Sequence, residues 1–170
     1  MISNKLADAI NAQINRELFS EYLYISMQAW FANQNLDGMA NWMDVQGKEE
    51  RFHAMKFFNY LVERGGKVVL KALDQPTVDF SSPLEIFTAA LKHEEFISKS
   101  INSLMDVAIS ENDHACRSFL QWYVDEQVEE EANADKIVQK LKMIGDNTYG
   151  IYMLDAELGT RVFTPPVTNP

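Results

Sequence analysis

The chain has 170 residues, enough for one domain with a sizeable core, and carries 25 acidic against 15 basic side chains, a formal net charge of −10. That surplus argues against a nucleic-acid partner, whose phosphates need Lys and Arg, and suits cations as partners. One cysteine, Cys116, excludes an intramolecular disulfide and fits a reducing compartment. Met1–Ala12 shows no basic start followed by an apolar run, and the most apolar stretch, Tyr22–Ala32, is too short to cross a bilayer. The chain therefore reads as soluble and cytoplasmic, with no membrane partner.

Helical signals dominate, because the seven glycines and five prolines cluster and leave long stretches of helix formers between them. The first helix is predicted over 4–33, with Ser3 as its N-cap. The second runs over 38–64 and stops at Gly65-Gly66, glycine being the usual residue beyond a helix end. The third, over 83–110, opens on Ser82-Pro83-Leu84-Glu85, a capping box with proline at the first helical position. The fourth covers 114–144 and stops at Gly145. A short fifth helix covers 148–158, and a tail over 159–170 carries Pro165, Pro166 and Pro170. The joints after helices one and three are short, so those neighbours are antiparallel. The stretch from Gly66 to Ser81 is long. A helix of about 28 residues is roughly 42 Å long, and an extended segment of this length reaches roughly 53 Å. It can return along the whole bundle and make helices two and three parallel. The predicted fold is all-α: a four-helix bundle of the single-crossover, ferritin-like topology with a short C-terminal helix, in one domain.

Reading each helix at alternating four-three spacing gives four stripes that are apolar at the ends and polar in the middle. They are Leu6, Ile10, Gln13, Glu17, Ser20, Tyr24, Met27, Phe31; then Met39, Met43, Gln46, Glu50, His53, Phe57, Tyr60, Arg64; then Leu84, Phe87, Leu91, Glu94, Ser98, Ile101, Met105, Ala108; and Cys116, Leu120, Tyr123, Gln127, Glu130, Ala134, Ile137, Leu141, Ile144. Glu17, Glu50, Glu94 and Gln127 fall at one level. Carboxylates buried together repel and lose solvation unless they are paired or bind metal. No Lys or Arg lies in the middle of any stripe, so metal cations are the economical counter-charge. Oxygen ligands with one imidazole, His53, suit iron or manganese better than a thiolate metal. Glu50 and His53 stand three apart and reach one point on a helix face, and Gln127 and Glu130 repeat the spacing. Tyr24, on the stripe of Glu17, is either plain core or a hydrogen-bonding or redox neighbour of the metals. Glu49, Glu126 and Glu129 flank the stripes and form either a further metal site or a solvated face; Glu131 reads as solvated. Met39 and Met43 read as core.

These residues carry a resemblance. Glu17 with Tyr24, Glu49-Glu50-Arg51-Phe52-His53, Glu94, Glu126-Gln127-Val128-Glu129-Glu130 and the last helix with Tyr149-Gly150-Ile151-Tyr152 resemble bacterial-type non-haem ferritins over nearly the whole chain. The resemblance implies iron storage with ferroxidase activity in a homo-oligomeric shell of 24 subunits, with dioxygen or peroxide as oxidant. It implies that Glu17, Glu50 and His53 hold a first iron. Glu50 bridges to a second on Glu94 and Glu130, with Gln127 nearby, and Glu49, Glu126, Glu129 and Glu130 hold a third. The haem-binding relatives would show a second Glu-x-x-His on helix four and a methionine near Phe52, so haem is not expected. A rubrerythrin-like peroxide reductase is the rival, disfavoured by the single cysteine, and a non-enzymatic helical bundle is another. The joint at Glu111 and Asp113 is expected to form a negative mouth for ferrous iron.

Overall fold

The computed structural model describes residues 1–165, which form five helices: α1 (Asn4–Asn33), α2 (Asp37–Glu63), α3 (Pro83–Ser110), α4 (His114–Ile144) and α5 (Thr148–Leu158). The predicted tail beyond residue 165, with Pro166 and Pro170, lies outside the described residues. α2 begins and ends one residue earlier than its expected range.

The helix ends show why the bundle turns where it does. Ser3, Ser82, Asp113 and Asn147 each accept a hydrogen bond from a first-turn amide, satisfying donors that have no partner within the helix. The capping box at α3 is displaced by one residue: Glu85 accepts from the amide of Ser81, 2.7 Å away, instead of Ser82. α2 ends in a left-handed Gly65 at φ +75°, and the amides of Gly65 and Gly66 return to the carbonyls of Val62 and Leu61. The same paired bonds close α1 and α3 with Asn35 and Asn112 at φ 59° and 54°. Asparagine is the residue after glycine best able to take that conformation. Two tight Asn turns thus make the α1/α2 and α3/α4 hairpins antiparallel.

The long crossover is pinned along α1. Asn11 Nδ2 donates to the Lys67 carbonyl (2.9 Å), and its Oδ1 accepts from the Val69 amide (2.7 Å). Asn15 Oδ1 takes the Lys71 amide (2.8 Å), Ser26 Oγ donates to the Thr77 carbonyl (2.7 Å), and Trp30 Nε1 donates to the Phe80 carbonyl (3.0 Å). The loop therefore climbs α1 from its first turns to its last and delivers α3 parallel to α2.

Two apolar clusters cap a polar belt. One gathers Met27, Phe31, Met39, Met43, Phe87 and Leu141, and the other Ile10, Phe57, Leu61, Ile101, Leu120 and Tyr123. Each fully buried aliphatic or aromatic side chain contributes about 1.5–3 kcal/mol, which is what lets the fold carry a belt that is costly to bury. The expected stripe of α3 needs correction. Phe87, Glu94, Ile101 and Ala108 are buried, but Ala90, Ile97 and Leu104 fill the core between them while Leu91, Ser98 and Met105 are only half-buried. Either set of positions satisfies a seven-residue repeat, and the packed bundle buries Ala90, Ile97 and Leu104. α2 drifts likewise, burying Leu61 in place of Tyr60.

α5 docks on the start of α2. The Asp155 carboxylate accepts the Met39 amide (2.8 Å), and a Cβ on Gly38 would sit 1.7 Å from the Asp155 carbonyl oxygen. Leu154 and Leu158 enter the core of the bundle. No described helix is long and apolar enough to cross a membrane.

Candidate metal centre

The middle of the bundle is polar because each helix contributes side chains there at seam spacing. Gln13, Glu17, Ser20 and Tyr24 come from α1, Gln46, Glu50 and His53 from α2, Glu94 from α3, and Gln127 and Glu130 from α4; all are buried. Two groups of three carry ligand atoms within 4.8 Å of one another: Glu17, Glu50 and His53, and His53, Glu126 and Glu130. His53 belongs to both. Glu94 lies outside both groups, yet its charge acts on Glu50 and it is itself affected by Glu130.

Hydrogen bonds distinguish the carboxylates. Gln13 Nε2 donates to Glu17 Oε1 (2.7 Å), and Gln46 Nε2 donates to Glu50 Oε1 (3.3 Å) and Glu130 Oε2 (2.8 Å). The Tyr24 hydroxyl donates to Glu94 Oε1, and Gln127 Nε2 lies 3.3 Å from Glu94 Oε2. The Tyr123 hydroxyl donates to the His53 carbonyl (2.9 Å). Two buried oxygens, Glu17 Oε2 and Glu50 Oε2, have no donor from the rest of the protein, the latter lying 3.6 Å from His53 Nδ1; without a cation they can be satisfied only by a proton shared between the two carboxyls. Buried acceptors in native proteins are nearly always satisfied, so this pair marks where a cation fits.

The electrostatics agree. Burial pushes Glu17 up to about 8, with the Glu50 charge adding to it, and pushes Glu94 up to about 8, with Glu130 adding to it. Burial, then Glu94 and Glu130, hold Glu50 well above the usual carboxylate range. Burial raises Glu49 to about 7 and also raises Glu126. Without a cation, Glu17, Glu50 and Glu94 favour their protonated forms near neutral pH. A metal ion can replace those protons, and the donor set of carboxylates with one imidazole fits iron.

The flanking acids separate. Glu126 joins a cluster, Glu129 is exposed and belongs to no cluster among the described residues, and Glu49 pairs with Arg161 at 2.5 Å. Glu131 accepts from Ser98 Oγ. The expected negative mouth is not formed within the subunit. Asp113 caps α4 and takes both guanidinium nitrogens of Arg64 (2.7 and 3.2 Å), while Lys5 stands 3.4 Å from Glu111. Each acid of that joint already faces a cation.

Residues 7–144 match the family model of the ferritin-like domain. The chain belongs to the ferritin family. It is 40% identical to a bacterial non-heme ferritin of Staphylococcus aureus (strain MRSA252) over 163 residues, covering 96% of this chain and 98% of that one. It is 42% identical to a bacterial non-heme ferritin of Bacteroides fragilis (strain 638R) over 161 residues, 95% and 100% of the two chains. Among solved structures, an engineered closed form of the Archaeoglobus fulgidus ferritin superposes with a TM-score of 0.95 at 48% identity, covering 96% of this chain and 100% of that one. The open-pore ferritin of Archaeoglobus fulgidus gives a TM-score of 0.94 at 47% identity over 95% and 100%. Iron storage with ferroxidase activity is the function of this family.

In this ferritin, several residues around the centre carry no ligand pattern in the sequence. Gln13 and Gln46 stand on the stripes, and each sits four residues before a buried Glu; that spacing is the signal for an amide donor. His93, largely buried, lies 2.7 Å from Ser20 Oγ, and burial lowers its imidazole to about 4, so it stays neutral. Arg161 lies past the last helix, where no periodicity can flag it.

Proposed function

We propose that this chain oxidises ferrous iron between its four helices and stores the ferric product. The observation that carries the reading is the pair of buried, unpartnered carboxylate oxygens on Glu17 and Glu50 beside His53. Glu17, Glu50 and His53 hold one ferrous ion. Glu50 is shared with a second, held also by Glu94 and Glu130 with Gln127 alongside. Glu126 and Glu130, flanked by Glu49 and Glu129, offer a weaker third position. Two ferrous ions each lose one electron. Dioxygen accepts both electrons and two protons to become hydrogen peroxide, or hydrogen peroxide accepts them with two protons to become two waters.

The chain's own residues fix ligand geometry, hold the carboxylates close enough to stabilise the more highly charged ferric ions, and leave room for the oxidant. Tyr24 holds Glu94 by its hydroxyl and stands where it can pass an electron. Storage needs an enclosed volume, and we assign the chain to a homo-oligomeric shell of 24 subunits in the cytoplasm. Its exposed apolar side chains support assembly: Leu70 and Val78 on the crossover, and Tyr149, Tyr152 and Met153 on α5, are half or more exposed on the single subunit.

Anaerobic titration with ferrous iron, followed by stopped-flow mixing with dioxygen, tests the centre. The expected result is two tightly bound ferrous ions per subunit and a fast oxidation phase that saturates at that ratio. Light scattering tests the shell, and a monomer or dimer at physiological salt would leave an oxidase without a store.

A further inference from the structure

Arg161 comes from the segment after α5 and reaches into the cleft between α2 and α4. One guanidinium nitrogen lies 2.5 Å from Glu49 Oε2 and the other 2.8 Å from Gln46 Oε1, while the group sits 4.6 Å over the Trp42 ring. The segment is anchored: Asn41 Nδ2 donates to the Arg161 carbonyl at 2.9 Å, and Gly38 lets α5 approach α2 closely just before it. Arg161 and Glu49 each keep only 22% of their side-chain surface exposed, so this pair is more than a loose surface contact.

Gln46 connects the pair to the metal centre. A primary amide has one carbonyl and one NH2 group. With its carbonyl held by Arg161, Gln46 must turn its NH2 toward Glu130 and Glu50, where it donates at 2.8 and 3.3 Å. Reversing the amide would set its oxygen against two carboxylates. A groove lined by Trp42, Lys136, Lys140, Glu157 and Arg161 opens beside the guanidinium, with about 480 Å³ into which it can withdraw.

We propose that Arg161 is a resident counter-cation that occupies Glu49, sets the sense of the Gln46 amide at Glu50 and Glu130, and is displaced when a third metal ion takes Glu49. It is a positioning residue. Arginine brings one positive charge to Glu49 and a divalent ion brings two, so the ion can compete, but it must first release the fork. The third ion is thereby held weaker than the first two. Its arrival frees Gln46, so by linkage it alters the first two sites as well. The inference rests on the ligand assignment proposed above.

Anaerobic calorimetric titration with cobalt(II), whose visible bands report its ligands, tests it on assembled wild type and on Arg161→Gln, Arg161→Ala and Arg161→Lys. Wild type is expected to bind two ions tightly and a third weakly. Arg161→Gln and Arg161→Ala are expected to tighten the third by about tenfold, the scale of losing one hydrogen bond between charged groups. Arg161→Lys keeps the charge without the fork. It is expected to leave the third affinity near wild type and to shift the bands of the first two ions as Gln46 is released. Third-ion affinity within twofold of wild type in both neutral variants overturns the inference. So does tightening by Arg161→Lys equal to that of Arg161→Gln, or the absence of a third ion in every form. Failure of wild type to bind the first two ions would instead overturn the ligand assignment.

Discussion

The two sides of the metal belt are built differently. On the Glu17 side, Glu17 and Glu50 each leave one buried oxygen without a donor from the rest of the protein, and His53 Nδ1 lies 3.6 Å from the Glu50 oxygen. On the Glu94 side, both oxygens of Glu94 face donors, the Tyr24 hydroxyl and the Gln127 amide, and Glu130 Oε2 accepts from Gln46. A carboxylate already satisfied by the protein gains less from a metal ion than one left bare, because forming the new bond gives up an old one. The bare side is therefore expected to fill first and to bind more tightly. The held side keeps its shape while empty and awaits the second ion.

Glu50→Ala is the strongest way to break this picture, because it removes the carboxylate shared between the sides. Paired binding should vanish. The fast oxidation phase should fall by more than the roughly 10–100-fold that loss of an outer-shell partner costs at metal sites. The assembly should persist, since relieving buried like charge offsets lost contacts. Fast oxidation at the wild-type rate in stopped-flow would contradict the role of Glu50. The two sides are then compared directly by neutral isosteres. Glu17→Gln should weaken the first ion by on the order of 100-fold. Glu94→Gln should leave the first ion nearly unchanged and remove the second. Anaerobic titrations giving the reverse order would mean that the pre-satisfied side fills first.

The pH dependence sharpens the same contrast. Glu17 and Glu94 sit near 8 in the folded protein, against an ordinary 4.5. The folded state thus holds protons that the unfolded chain has already lost, and stability of the metal-free protein should fall as pH rises from about 4.5 through about 8. A metal ion reverses the sign by taking the protons' place, so binding should release protons at pH 7 and strengthen as pH rises through that window. Thermal melts with and without zinc(II) across pH 5–9 check this: the metal-free curve should slope down and the loaded curve should not. Glu17→Gln should flatten the metal-free slope.

Much of this was legible in the sequence because the belt obeys helix periodicity. Glu17, Glu50, His53, Glu94, Gln127 and Glu130 all stand on seam positions, and a charged seam residue is conspicuous among apolar neighbours. The crossover followed from chain length alone, and mid-helix Asn11 and Asn15, poor helix formers four apart, are the trace of the loop that they pin. Other features leave no periodic trace. The α3 register depended on which flank of Phe87, Glu94 and Ile101 is buried in the bundle, a choice two seven-residue patterns share. Arg161 sits outside any helix, so its pairing with Glu49 arises only when α5 folds back onto α2. Asp113 looked like a free acid because its partner, Arg64, is distant in sequence.

The smallest effects are expected among the acids that flank the belt, and they separate a third site from a solvated face. Glu126 is half-buried, shares a cluster with His53 and Glu130, and has its carboxyl raised by burial. Glu129 is exposed and joins no cluster among the described residues. Glu126→Ala should leave the fast oxidation of the first two ions intact and weaken the third by roughly tenfold, the scale of one lost charge-assisted contact. It should also change the slower turnover that follows. Glu129→Ala removes a charge screened by water and salt and should shift the third affinity by less than about threefold, since surface charge pairs contribute only about 0–1 kcal/mol. Both follow from one cobalt(II) titration and one multi-turnover oxidation trace per variant. Equal and negligible effects would reduce Glu126 to surface, and equal large effects would bring Glu129 into the site through a side-chain movement on binding.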